Sequence, residues 1–175
     1  MLKRYKNSFL CVCSVLVLFT TDASAKVKLK KLLIASQLQS WVEQKEISRK
    51  FTSKGLFEII NGGAVDYVNQ GLIEGIHQQF SNKDGRIVEV FVEDFGTGEK
   101  ASSMFETKKS GCSNVATLQG LSGFNHFVEN AIGASVVIVS FDNIYLEMTV
   151  SGCKDSSQVE SVALEFLNYY KFFMK

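Results

Sequence analysis

The chain has 175 residues, of which 46% are hydrophobic and 21% are charged, a composition typical of a globular protein rather than a disordered one. Its formal net charge is +1, so it offers no basic face of the kind that nucleic acids require. Only two histidines occur, and there is no C-x-x-C motif. Composition therefore predicts no nucleic-acid partner, no metal site and no cofactor.

The first 25 residues have the three parts of a secretory signal peptide in the right order. Basic residues at positions 3, 4 and 6 precede an apolar run from Phe9 to Phe19, and Ala23-Ser24-Ala25 supplies a small-x-small cleavage site. The run is shorter than the roughly 20 apolar residues that span a bilayer. The sequence therefore predicts export to the periplasm or beyond, with no transmembrane segment after signal cleavage.

Removal of residues 1–25 would leave 150 residues with 16 basic and 17 acidic side chains, enough for one domain with a substantial core. We divide this part into a basic N-terminal lead-in, residues 26–40, and one folded domain, residues 41–175. Trp41, the only tryptophan, opens that domain and is expected to lie in its core.

Cys112 and Cys153 are the two cysteines outside the signal region, and each follows a glycine. In an exported protein, two thiols are most simply explained by one disulfide. Such a bridge would contribute about 3–4 kcal/mol through the chain entropy of the loop that it closes. Free thiols and redox chemistry are the alternatives.

The first helix is predicted over residues 56–69, where apolar side chains recur at three- and four-residue spacing. Gly62-Gly63 interrupts it at a cost of about 1 kcal/mol per glycine. This pair indicates either a break or a close approach of another backbone, and we favour the second. Strands follow over 73–80 and 86–95, joined by a polar loop that ends in glycine, which predicts a hairpin.

Thr97 is placed to cap a helix over 99–108, and the stretch 110–133 is hard to interpret beyond a short helix around 124–131. A second hairpin is predicted over 135–150, turning at Asp142-Asn143. A last helix over 157–173 carries a wide apolar stripe. This order predicts an α+β fold, a mainly antiparallel sheet built from two hairpins with helices packed on one side.

The block from Gly55 to Ala64, with Tyr67 and Gly71 after it, resembles the signature of a family of exported bacterial proteins of unknown function. That family carries a Leu-Tyr-x-Tyr-Ile-Asn-Gly-Gly-Ala block and a later Asp-Met-Gly-like block, whose place is taken here by Asp94-Phe95-Gly96. The chain departs from it at Val65, where the family has an acidic residue, and at Gly98, where proline is common. The resemblance implies export and one α+β domain, and it implies no activity.

Candidate binding residues are few. Around the glycine pair and the second block they are Asn61, Gly62, Gly63, Asp66 and Asp94. Asp94 follows a predicted strand and would order the turn that leads to the next helix. Glu89 and Glu93 share one face of that strand, which is expected to be a solvated outer face.

Two functional classes remain open from the sequence. The first is a non-enzymatic exported domain that binds a protein, an envelope component or a small ligand, including an apolar one. The second is a small hydrolase or thiol-dependent enzyme that uses Cys112 with His126 or His77. No catalytic residue is assigned, because His77 is more readily explained as a solvated or hydrogen-bonded surface residue and His126 as a residue on the surface of a helix.

Overall fold

The structure is a computed structural model that describes residues 29, 38, 40–60, 62–121 and 124–174. The predicted signal peptide and most of the basic lead-in lie outside the described residues. The elements, in chain order, are β1 (Trp41–Glu43), β2 (Arg49–Thr52), a 3₁₀ turn (Gly55–Glu58), α1 (Ala64–Asn69), β3 (Glu74–Asn82), β4 (Ile87–Asp94), α2 (Gly98–Gly111), β5 (Val115–Ala116), β6 (Asn125–Ala131), β7 (Ala134–Phe141), β8 (Ile144–Ser151) and α3 (Ser156–Met174).

The strands form one antiparallel sheet in the order β1-β3-β4-β8-β7-β6-β5, and β2 pairs with β3 beside β1. The expected hairpins are both present, as β3–β4 and β7–β8. The second turns at Asp142-Asn143, and Asp142 adopts the positive φ of 47° that such tight turns require. The α+β class and the antiparallel sheet are therefore confirmed.

Helix α3 covers one face of the sheet. Its apolar stripe packs on alternate residues of the central strands, such as Val90, Val92 and Met148. Trp41 joins this layer, as expected, and its ring packs edge-on against Phe166 with the ring centroids 5.1 Å apart. This face contains the larger of the two hydrophobic clusters.

The opposite face is covered as well, which corrects the expectation that the helices pack on one side. The 3₁₀ turn, α1 and α2 lie over it, and Leu56, Met104 and Phe105 are buried there with Phe127. Helices α2 and α3 each carry apolar side chains, and one face of the sheet cannot bury both sets. The sheet is therefore enclosed between helices.

Two local predictions were wrong. The predicted helix over 56–69 is broken into the 3₁₀ turn and α1, because Gly62 has a φ of +76° that a helix cannot continue through. A Cβ added at Gly62 would meet nothing within 4 Å, so the glycine serves the break and not a close approach. Residues 124–131 belong to strand β6, because a two-residue turn with Gly133 at φ +79° pairs them with β7.

Candidate functional site

Two glutamates lie on the enclosed face of the sheet, on neighbouring strands. Glu93 of β4 is directly opposite Tyr145 of β8, and Glu147 is two residues further along β8. Because side chains alternate between faces, all three point toward α1 and α2. Diagonal neighbours of this kind have Cα atoms about 7–8 Å apart, close enough for the carboxyl groups to interact.

The carboxylate of Glu147 receives hydrogen bonds from two tyrosines. The hydroxyls of Tyr67 in α1 and Tyr145 in β8 donate to Glu147 Oε2 at 2.9 and 3.1 Å. The ammonium of Lys108 in α2 lies 3.5 Å from the same oxygen and 5.2 Å from the centroid of the Tyr67 ring. Burial and the nearby negative charge raise the pKa of both tyrosines, so their hydroxyls stay protonated as donors.

Glu93 lies deeper than Glu147 and has no exposed surface. Neither of its carboxyl oxygens has a hydrogen-bond partner. Burial, followed by the charge of Glu147, raises the pKa of Glu93 well above its ordinary value, and Lys108 acts weakly in the opposite direction. An unpartnered charge in such a place would be very costly, and this burial favours the neutral form of the Glu93 carboxyl group. We call Tyr67, Glu93, Lys108, Tyr145 and Glu147 the Glu93 cluster.

On the side away from β8, Glu93 is enclosed by strand β3 and by a side chain that packs over it. Gly75 of β3 is the residue directly opposite Glu93, and it has no side chain to fill the gap. The ring of Phe51 occupies that place, since a Cβ on Gly75 would lie 2.2 Å from Phe51 Cζ. Glu93 is therefore enclosed by β2, β3 and β8 as well as by the helices.

The residues expected to bind around the glycine pair are mostly on the surface. Gly62, Gly63 and Asp66 are exposed, while Asn61 lies outside the described residues. Gly63 is the N-terminal cap position of α1, without a side-chain cap. Binding by these residues stays a prediction, and the structure places Gly62, Gly63 and Asp66 at the surface.

Asp94 has a structural role in the turn after β4. Its Oδ1 accepts hydrogen bonds from the backbone N–H of Gly96 and from the side-chain amide of Asn143, both at 2.6 Å. It is only 4% exposed, and Thr97 then caps α2 by accepting from the N–H of Lys100. The expected ordering of this turn by Asp94 is therefore present, and Asp94 is separated from the exposed glycine pair.

Neither histidine is placed as a catalytic base for Cys112. His77 is buried, stacks on Phe91 with centroids 4.3 Å apart, and has its Nε2 2.7 Å from Glu89 Oε1. It lies four strands from β6, or about 19 Å at normal strand spacing. The ring nitrogens of His126 form hydrogen bonds with the backbone of residues 118 and 124.

Cys112 and Cys153 are not bonded to each other in the structure, and their disulfide stays a prediction of the sequence. Cys112 packs against the α2 side of the sheet and Cys153 against the α3 side, so the sheet lies between them. Burial, with the hydrogen bond and charge of Glu129, raises the pKa of the Cys112 thiol to about 11. A catalytic thiol needs the opposite shift.

The Glu93 cluster was not predicted from the sequence, because Glu93 was expected on a solvated face. One signal was available: Ala101, Met104 and Phe105 give α2 its own apolar side, and α3 already needs a complete sheet face. With one face of the sheet taken by α3, the face of β4 that carries Glu93 was the surface left for the apolar side of α2.

Other kinds of site have no support in the described part of the chain. No three acidic, cysteine or histidine side chains there come together in a way that could hold a metal ion. Nor does any helix among those residues have the length and apolar character needed to cross a membrane. A cleft of about 280 Å³ lies between the β6–β7 turn and the start of α3, and it includes Cys153.

Comparisons with known proteins add one likeness of fold. No family model matches the chain, and no curated protein matches its sequence. The crystal structure of the extracellular domain of PknH from Mycobacterium tuberculosis is similar, with a TM-score of 0.54 at 15% identity. The match covers 85% of this chain and 97% of that one, so the two share an overall fold.

Proposed function

We propose that this protein is an exported, non-enzymatic domain that binds a partner protein through the surface around α1. Export is supported by the signal-like residues 1–25, by the resemblance to exported bacterial proteins, and by the extracellular placement of the PknH domain that shares this fold. Binding without catalysis is supported by the position of His77 on β3, four strands from β6, and by the ring nitrogens of His126, which are engaged with backbone groups.

The observation that carries the binding surface is a pair of half-exposed apolar side chains beside the glycine pair. Phe57 in the 3₁₀ turn and Val65 in α1 are each 48% exposed. Exposed apolar groups that cluster are a mark of protein interfaces. We call the 3₁₀ turn and α1, residues 55–60 and 62–71, the α1 segment.

A protein is the favoured occupant over a small ligand because these side chains do not line the cleft described above. That cleft lies at the opposite end of the central strands. The α1 segment is also locally accessible, since Gly62 and Gly63 contact little around them. A protruding apolar surface fits the concave side of another protein, whereas a small ligand needs a pocket that surrounds it.

The test is site-specific photo-cross-linking in the native cell. A benzophenone side chain at position 57 should give one major adduct, and the same group at Ile87, which is 42% exposed at the far end of β4, serves as the matched control. The partner identified in that adduct should bind the purified protein, and Phe57→Ser with Val65→Ser should weaken binding at least tenfold. Equal weakening by Ile87→Ser, or the same adduct from position 87, would refute this surface.

A further inference from the structure

The closed structure cannot accommodate an ionised Glu93 side chain. The carboxyl group is fully buried, and both oxygens lack a donor. Charging such a group while it stays buried requires either a new counter-ion or water. The fold must therefore open next to Glu93 before the group can lose its proton.

Each element around Glu93 presents a different group to it. Strand β8 contributes Glu147 and Tyr145, α1 contributes Tyr67, and α2 contributes Lys108. Strand β3 contributes Gly75, with the Phe51 ring of β2 above it, and two residues further along the same face it carries His77, whose Nε2 lies 2.7 Å from Glu89 Oε1. Lys108 is the single positive charge in this set, and it is already engaged with Glu147. No cation is left over to balance a second carboxylate.

Helix α1 is the most weakly held of these elements. It has six residues, of which only Ala64 and Tyr67 are buried. Glycines in the left-handed region stand before and after it, Gly62 at φ +76° and Gly71 at φ +95°. Short exposed segments with few buried contacts open at a lower free energy than core strands do.

Tyr67 connects α1 to Tyr145 and Glu147 on strand β8. Its ring packs edge-on against Tyr145, and its hydroxyl donates to Glu147. Movement of α1 would remove this donor and admit water to both carboxyl groups. Loss of the proton from Glu93 and opening of α1 are thus two parts of one event.

We propose that protonated Glu93 keeps α1 closed on the sheet and that its ionisation releases α1, so that pH controls the α1 segment. This inference rests on the proposed function for its biological meaning, since the same segment carries Phe57 and Val65. The opening itself is measured without any partner. A failed partner search and a failed pH response are therefore separate results.

The test is hydrogen exchange of the purified protein across pH 5 to 9, corrected for intrinsic exchange rates. The amides of Gln70, Gly71 and Leu72, which bond back to α1, report its opening, and residues 135–150 provide an internal reference. Opening linked to one proton should increase exchange about tenfold per pH unit until Glu93 ionises in the closed form. The purified Glu93→Gln variant should show no such rise in exchange.

Two further variants decide between this mechanism and a general loss of stability. Lys108→Gln removes the positive charge that favours ionised Glu93 in the closed form, so the rise in exchange should continue to a higher pH than in wild type. Glu58→Gln, at an exposed position in the same segment, should leave the profile unchanged. The proposal is overturned if the wild-type profile is flat, if Glu93→Gln retains the rise, or if Lys108→Gln moves the end of the rise to lower pH or not at all.

Discussion

Replacement of Glu93 by glutamine should stabilise the protein increasingly as the pH rises. In the unfolded chain the carboxyl group has its ordinary pKa of 4.5, whereas burial and Glu147 raise the pKa of Glu93 in the folded state. Between these two pKa values the folded state holds one proton more than the unfolded state. The free energy of unfolding therefore falls by about 1.4 kcal/mol for each pH unit in that interval, and glutamine removes this loss.

The assay is urea unfolding at pH 5, 6, 7 and 8, followed by the fluorescence of Trp41. This residue is buried against Phe166 and donates a hydrogen bond to Glu165, so it reports loss of the α3 layer. The difference in unfolding free energy between Glu93→Gln and wild type should grow with pH, while Glu58→Gln should give a constant difference. Parallel pH profiles for wild type and Glu93→Gln would refute the assignment of a neutral buried acid.

Three further outcomes are expected. Gly75→Ala should destabilise the fold by about 1–3 kcal/mol in urea unfolding, because the new Cβ would collide with the Phe51 ring, and loss of less than about 0.5 kcal/mol would contradict that packing. Gly63→Ala, with only a 4.0 Å contact and a negative φ, should change stability by less than about 0.5 kcal/mol. Denatured protein that lacks residues 1–25, and with them Cys11 and Cys13, should titrate as two thiols when it is kept without reductant, and native Cys112 should react more slowly than a free thiol at pH 8; a count of zero would show that Cys112 and Cys153 are bridged.

Local sequence determined much of the architecture. Alternating apolar residues on both sides of Asp142-Asn143 specify the β7–β8 hairpin, since a two-residue turn leaves only one register that keeps one face apolar. The position of Thr97 before α2 likewise predicted a helix start that the structure contains. These features depend on residues within about ten positions of each other, so they can be inferred without knowledge of the rest of the chain.

Tertiary structure alone decided which polar residues became buried. A period of two places Glu93, Tyr145 and Glu147 on one face of their strands, but it cannot say whether that face meets water or a helix. Helix α2 covers it here, because the opposite face is already occupied by α3. Contacts with a distant part of the chain also decided that residues 124–131 form a strand, since their pairing with β7 outweighs the local helical periodicity. The Glu93 cluster follows from that choice of faces, which is made by distant parts of the chain.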